Sequence, residues 1–170
     1  DIYLQYPQQP ESVLLEQARE RGRAMARVVN RMVELGARVI VANLPDLGLT
    51  PYARQESVAN NDPERAALIS RLSTAFNEQL GVTVLLDGRF VGLVQIDLIS
   101  QAIGRAPGFY GFSNISDGVC AVALPDCTTG TLVQNGDAST YLWADDKQFA
   151  PAGHGQLAAQ AISRAQSNPF

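Results

Sequence analysis

An α/β fold with a parallel sheet is predicted from three observations along the 170 residues. A long amphipathic stretch runs straight into a β-branched run, a second amphipathic stretch runs into a second apolar run, and an amphipathic stretch closes the chain. Alternation of this kind builds parallel strands, because each needs a crossover to bring the chain back to the same edge. With 46% hydrophobic residues, the chain is long enough to bury one core, and residues 1–170 are read as a single domain.

The elements follow in order. From Glu11 to Leu35, the residues Val13, Leu14, Ala18, Met25, Val28, Val29, Met32 and Val33 recur mostly at helical spacing, with arginines and glutamates between them. This predicts an amphipathic helix, stopped by Gly36. Arg38 to Leu44 reads RVIVANL, a buried parallel strand ending in the Pro45-Asp46-Leu47-Gly48 loop. Asp62 is placed as an N-cap with Pro63 at the first helical position. Ala66, Ile69, Leu72, Phe76 and Leu80 form the stripe of a helix closed by Gly81. Val82 to Leu86 is then assigned as a second buried strand, followed by an Asp87-Gly88 turn. Val94, Leu98, Ala102 and Ile103 suggest a shorter helix ending near Gly104. From Pro107 to Gly136 the chain is rich in Gly, Pro, Asn, Asp and Ser and is read as a long irregular excursion, packed by Phe109, Tyr110 and Phe112. Pro151 to Ala165 is the closing helix, with His154, Leu157, Ala158, Ala161 and Ile162 on one face.

Composition removes several classes of function. No run of eighteen apolar residues predicts a transmembrane helix, and a net charge of −4 argues against a nucleic-acid footprint. Cys120 and Cys127 are the only cysteines. Their spacing suits a small disulfide loop, as in an oxidising compartment, and equally two free thiols in a reducing one. With one histidine and one cysteine pair, tetrahedral zinc ligation is poorly supported, so no metal is expected.

The segment Tyr141 to His154, YLWADDKQFAPAGH, resembles the last sequence block of the GDSL or SGNH lipases and esterases, Phe-Trp-Asp-x-x-His-Pro-Thr-x-x-Gly-His. Two further segments carry the resemblance in the family's order. ARVIVANLPDLGLTP, Ala37 to Pro51, is similar to the strand and "LPDLGxTP" loop, and PGFYGFSN, Pro107 to Asn114, is similar to "NPxxYGFxN" with a cysteine following. The closest likeness is to bacterial secreted and autotransporter-type esterases and phospholipases. The resemblance implies a three-layer α/β/α, flavodoxin-like sheet. It also implies a serine acyl-enzyme mechanism on carboxylic or lipid esters, no cofactor, and a secreted, periplasmic or cell-surface location.

Carried over residue by residue, Asp145 takes the place of the catalytic aspartate and Gln148 that of the catalytic histidine. His154 falls on the family's second, helix-borne histidine. The substitution at 148 is chemically decisive. An imidazole there would bond the carboxylate and take the serine proton, whereas an amide does not titrate near neutral pH. The family's Gly-Asp-Ser-Leu block, its oxyanion glycine and its Gly-x-Asn-Asp block are not complete in this chain, and Asp1-Ile2-Tyr3 resembles the end of the last. The expectation is a domain incomplete at its N-terminus, silent by itself, that associates with a complementary N-terminal segment or with another copy to cover its open sheet.

Local alternatives carry less. Gly136-Asp137-Ala138-Ser139 resembles a displaced Gly-Asp-Ser and reads better as a turn. Asp145 and Asp146 are a conceivable metal pair, but adjacent loop carboxylates are commonly solvated or capping. Asp87 and Asp97 are read as capping or surface groups. Trp143 is a candidate for lining a substrate cleft, with a core position as the alternative, and Tyr110 and Phe112 stand the same way. His154 is assigned to capping or packing beneath the loop that holds Asp145. In the sharper reading it replaces the base at 148 and works on a serine from the missing segment.

Overall fold

A computed structural model describes residues 7–167 as a mixed α/β chain with short parallel strands in two small sheets. Helix α1 spans Glu11–Glu34 and leads to strand β1, Val39–Ala42. The stop is chemical. Gly36 takes φ +87°, a conformation that costs glycine little, so its N–H reaches the Val33 carbonyl at 2.8 Å and the Ala37 N–H reaches that of Met32 at 3.0 Å. This paired arrangement satisfies carbonyls the helix end leaves open.

After β1 the Pro45–Thr50 loop is held by side chains from three directions. Asn43 donates to Asp97 Oδ1 at 2.6 Å, and Asn77 exchanges two bonds with the backbone of Leu44, each 2.9 Å. Ser70 Oγ donates to Asp46 Oδ1 at 2.6 Å. Asp97 thus clamps the β1 exit to the first turn of a later helix rather than only capping or facing solvent. Thr50 then accepts from the Ala53 N–H, with Pro51 at the first position of helix α2, Pro51–Ala59, an element the sequence reading left out.

Helix α3, Glu64–Thr83, begins one residue later than expected, with Pro63 at the N-cap position and Asp62 accepting from the Glu64 N–H. It does not end at Gly81. The helix continues to Thr83, so Val82–Leu86 is its last turn and a loop, not a strand, and Val82, Leu85 and Leu86 stay exposed at 76%, 63% and 53%. The partner of β1 is instead β2, Val91–Val94, parallel and in register Val39↔Val91 to Ala42↔Val94. The Asp87-Gly88 turn therefore precedes the second strand. Val94, expected in a helix, ends that strand, and helix α4 begins at Ile96 and runs to Arg105.

Successive strand residues face opposite sides, and the two faces are covered differently. Val39, Val41 and Val91 pack with Ala26, Val29 and Leu80 of α1 and α3. On the face carrying Gly92 lies helix α5, Pro151–Gln166, whose Arg164 stem would meet any Cβ added there. Beside the buried face of α1, Met25, Val28, Met32 and Leu35 form a stripe at three- and four-residue steps that is 42–72% exposed. Among the described residues no strand pairs with the β1 edge opposite β2. The opening Asp1-Ile2-Tyr3 lies outside the described residues.

The Asp87 turn makes a pH prediction. Two Arg89 guanidinium nitrogens and its backbone N–H all donate to the Asp87 carboxylate, and these bonds lower its pKa from 3.8 to about 2. The pair's contribution is complete above the ordinary carboxylate value and fades as pH falls toward 2. Carbon-detected NMR titration of Asp87 should show that low midpoint, and Arg89→Ala should return it toward 3.8. An unchanged midpoint in the variant would show that Arg89 is not the cause.

Candidate functional site

The excursion expected as irregular contains a short 3-10 turn at Pro107–Tyr110 and strand β3, Asn114–Gly118. Strand β4, Tyr141–Trp143, lies parallel to β3. The chain then reverses tightly. The Ala144 N–H donates to the Gln148 carbonyl at 2.7 Å, and Trp143 bridges Phe149 in antiparallel fashion. Asp145 sits at this bend. Its Oδ1 accepts from the backbone N–H groups of Lys147 at 2.8 Å and Gln148 at 2.6 Å, an Asx-type closure of the turn. Its Oδ2 accepts no hydrogen bond among the described residues. Gly118 lets β3 pass against this bend, because a Cβ there would lie 2.8 Å from the Asp145 Cα.

Asp146 has a different job. It pairs with the Lys147 ammonium at 2.6 Å, and that ammonium lies 4.5 Å from the centre of the Tyr52 ring. The Asp146 carbonyl accepts from the Tyr52 N–H at 2.9 Å, tying the bend to the start of α2. Burial, with Glu56 nearby, raises the Tyr52 pKa and keeps its phenol neutral. The two adjacent aspartates thus face separate tasks, and among the described residues no group of three His, Cys, Asp or Glu is placed to hold a metal ion.

Trp143 does not line a cleft. It is 1% exposed, stacked on Phe149 with ring centres 4.6 Å apart, and its indole N–H donates to the Ile115 carbonyl at 3.1 Å. Of the other two aromatics, Phe112 is buried in the same cluster and Tyr110 packs at its edge. His154 stands in the first turn of α5 with its ring edge-on to Phe149, centres 6.0 Å apart. So Trp143, Phe149 and His154 form a ladder from core to surface, with the His154 residue exposed. The side chains of Gln148 and His154 are both exposed and make no hydrogen bond among the described residues.

Beside that ladder lies a cavity of about 550 Å³, bounded on the far side by the 120–132 loop and on the near side by Phe149, Gln148 and His154. Cys120 and Cys127 are joined in a disulfide and both contribute to its wall, which decides between the two readings of the cysteines. Of the lining residues, sequence reasoning named Gln148 and His154 as site candidates and the cysteines only as a candidate disulfide, and it missed Leu124, Leu132 and Phe149. A signal existed for Phe149: it lies one turn of a hairpin from Trp143, flanked by the Asp145 bend. Ser139, of the displaced Gly-Asp-x-Ser, donates to Asp137 at 2.6 Å and so belongs to a local turn.

The disulfide carries a stability prediction. Opening a bridge of sequence separation 7 releases denatured-state entropy worth roughly 2–3 kcal/mol. Urea denaturation with and without reductant, alongside the paired Cys120→Ser and Cys127→Ser variant, should show that loss in both. Identical midpoints would mean that the loop is held by its backbone bonds alone. No protein-family profile matches the chain, and none of the curated proteins matches it.

Proposed function

We propose that this chain is the C-terminal part of an SGNH-type, three-layer α/β/α domain belonging to a serine ester hydrolase of carboxylic or lipid esters. The observation that carries the reading is the bend at 145–148. Asp145 Oδ1 accepts from the backbone N–H of residue 148, and its Oδ2 accepts no hydrogen bond among the described residues. Ala144, Gln148 and Phe149, at and beside the bend, line an apolar cavity. In the reaction so read, a serine Oγ attacks the ester carbonyl while a base takes its proton. Backbone and asparagine donors hold the oxyanion, the alcohol leaves with that proton, and water then repeats the attack on the acyl-enzyme.

Gln148 does not serve as that base, because its amide neither accepts a proton near neutral pH nor becomes charged. The described residues also link no serine hydroxyl to Asp145, Gln148 or His154. By itself the chain is therefore silent toward esters. The nucleophile in this reading comes from a complementary N-terminal segment; the exposed stripe on α1 and the unpaired edge of β1 support association with that segment or with another copy. The disulfide favours a secreted, periplasmic or cell-surface location, and no described helix is long and apolar enough to cross a membrane.

The test is hydrolysis of a short-chain p-nitrophenyl ester by the full-length protein with Gln148 and with Gln148→His, each also carrying His154→Ala. Turnover confined to the Gln148→His protein supports the reading. If both forms turn over and His154→Ala silences both, the base is His154. If neither form turns over, the ester-hydrolase reading falls. Gln148 itself favours a second reading, a hydrolase-like fold retained as a binding or cell-surface interaction module, which would hold ligand without turnover.

A further inference from the structure

The cavity beside the disulfide loop has a chemistry of its own. Its apolar walls include Val119, Leu124, Leu132, Ala144, Phe149 and the Cys120–Cys127 bridge, and among the described residues no Asp, Glu, Lys or Arg lines it. The polar lining residues among those described are Thr128 and Thr129 on the loop, and Gln148 and His154. A volume of about 550 Å³ is within the range of small-molecule sites. Such a wall rewards an apolar occupant and penalises a charged one, whose hydration it cannot replace.

The walls also discriminate between apolar shapes. Among the described residues the aromatic rings lining it are Phe149 and His154, and one face of Phe149 is already stacked on Trp143 at 4.6 Å. Most of the remaining surface is aliphatic carbon and sulfur, which offers little to a flat ring and much to a flexible chain. At about 30 Å³ per methylene, taken as a water's share of liquid volume, a chain on the order of ten carbons fills about half the space and leaves its mouth for a head group. The Gln148 and His154 side chains make no hydrogen bond among the described residues, and an amide or imidazole N–H can donate to a carbonyl or carboxylate oxygen.

We infer that this cavity binds the aliphatic chain of a medium-length fatty acyl group, methyl end under the disulfide loop and carbonyl end at Gln148 and His154. The orientation rests on the ester-hydrolase reading. The binding does not, since it needs no nucleophile and no base. Leu124 and Leu132 set the depth and length of the site, and the disulfide holds the loop that carries Leu124 in place as its wall.

Calorimetric titration of the disulfide-intact protein with hexanoate, octanoate, decanoate and 2-naphthoate tests this. Affinity should rise roughly fourfold per added methylene up to about ten carbons, with 2-naphthoate weaker than decanoate. Leu124→Glu, on an exposed loop, should weaken decanoate at least about tenfold while leaving the melting curve in place. Leu132→Ala should move the best chain to a longer acid. Binding that ignores chain length, or that Leu124→Glu leaves intact, would overturn the inference and place the acid elsewhere on the surface. So would tighter binding of 2-naphthoate. Decanoate bound as described by a protein that never hydrolyses an ester would end the hydrolase reading and leave the cavity assignment standing. Ester hydrolysis indifferent to Leu124→Glu would do the reverse.

Discussion

Gln148→His in the full-length protein should raise ester hydrolysis by about two to four orders of magnitude, the range a positioned general base contributes. The backbone of residue 148 is already held on both sides, its N–H on Asp145 at 2.6 Å and its carbonyl on the Ala144 N–H at 2.7 Å. A histidine side chain would therefore start from a fixed point on the turn that Asp145 closes; the prediction is that the Asp145 Oδ2, which accepts no hydrogen bond among the described residues, accepts from one ring nitrogen and leaves the other as base. The rate should climb with pH through the imidazole range near about 6.5 and level off above it, because only the neutral ring takes a proton. A pH-independent gain would mean that the ring acts by packing. Asp145→Asn in the Gln148→His background should remove most of the gain, since an amide can orient the ring in the wrong tautomer.

Trp143→Ala should cost about 3–5 kcal/mol of stability, as large-to-small aromatic substitutions in cores do. The indole is 1% exposed and packs with Ile103, Phe112 and Leu142. Its removal leaves a cavity, takes away the stack on Phe149, and strands the Ile115 carbonyl that its N–H satisfies at 3.1 Å. Because Phe149 is also a wall of the acyl cavity, fatty-acid affinity should fall with it. Trp143→Phe keeps a ring on Phe149 and loses the hydrogen bond, at a cost of about 1–3 kcal/mol. Guanidinium denaturation of the three proteins measures both. A loss under about 1 kcal/mol for Trp143→Ala would mean the surrounding side chains collapse into the space, which their existing contacts argue against.

The candidate site was legible in part. Asp145, Gln148 and His154 were found by pattern, and the bend that unites the first two is local, closed by a side chain on backbone three residues away. For Trp143 residue type alone left both a cleft and a core position open, and the structure takes the core. What buried it was the Ile115 carbonyl, 28 residues earlier. The cavity itself was invisible, since it exists only once the disulfide loop folds back over Phe149.

The same division runs through the fold. The sequence by itself determined α1 and its stop, β1, the start of α3, and α5, because periodicity, capping groups and a left-handed glycine act within a few residues. It did not determine which apolar run would pair with β1. VTVLL has the stronger strand propensity, yet VGLV is the strand. Within VGLV, Val91 can enter the core with Val39, Val41 and Leu80, while Gly92 leaves room on the other face for the Arg164 stem of α5. Propensity is a weak preference of single residues, whereas burial against distant neighbours is worth more per side chain. The tertiary structure therefore chose the strand, closed Cys120 on Cys127, and put Trp143 beneath the site instead of in it.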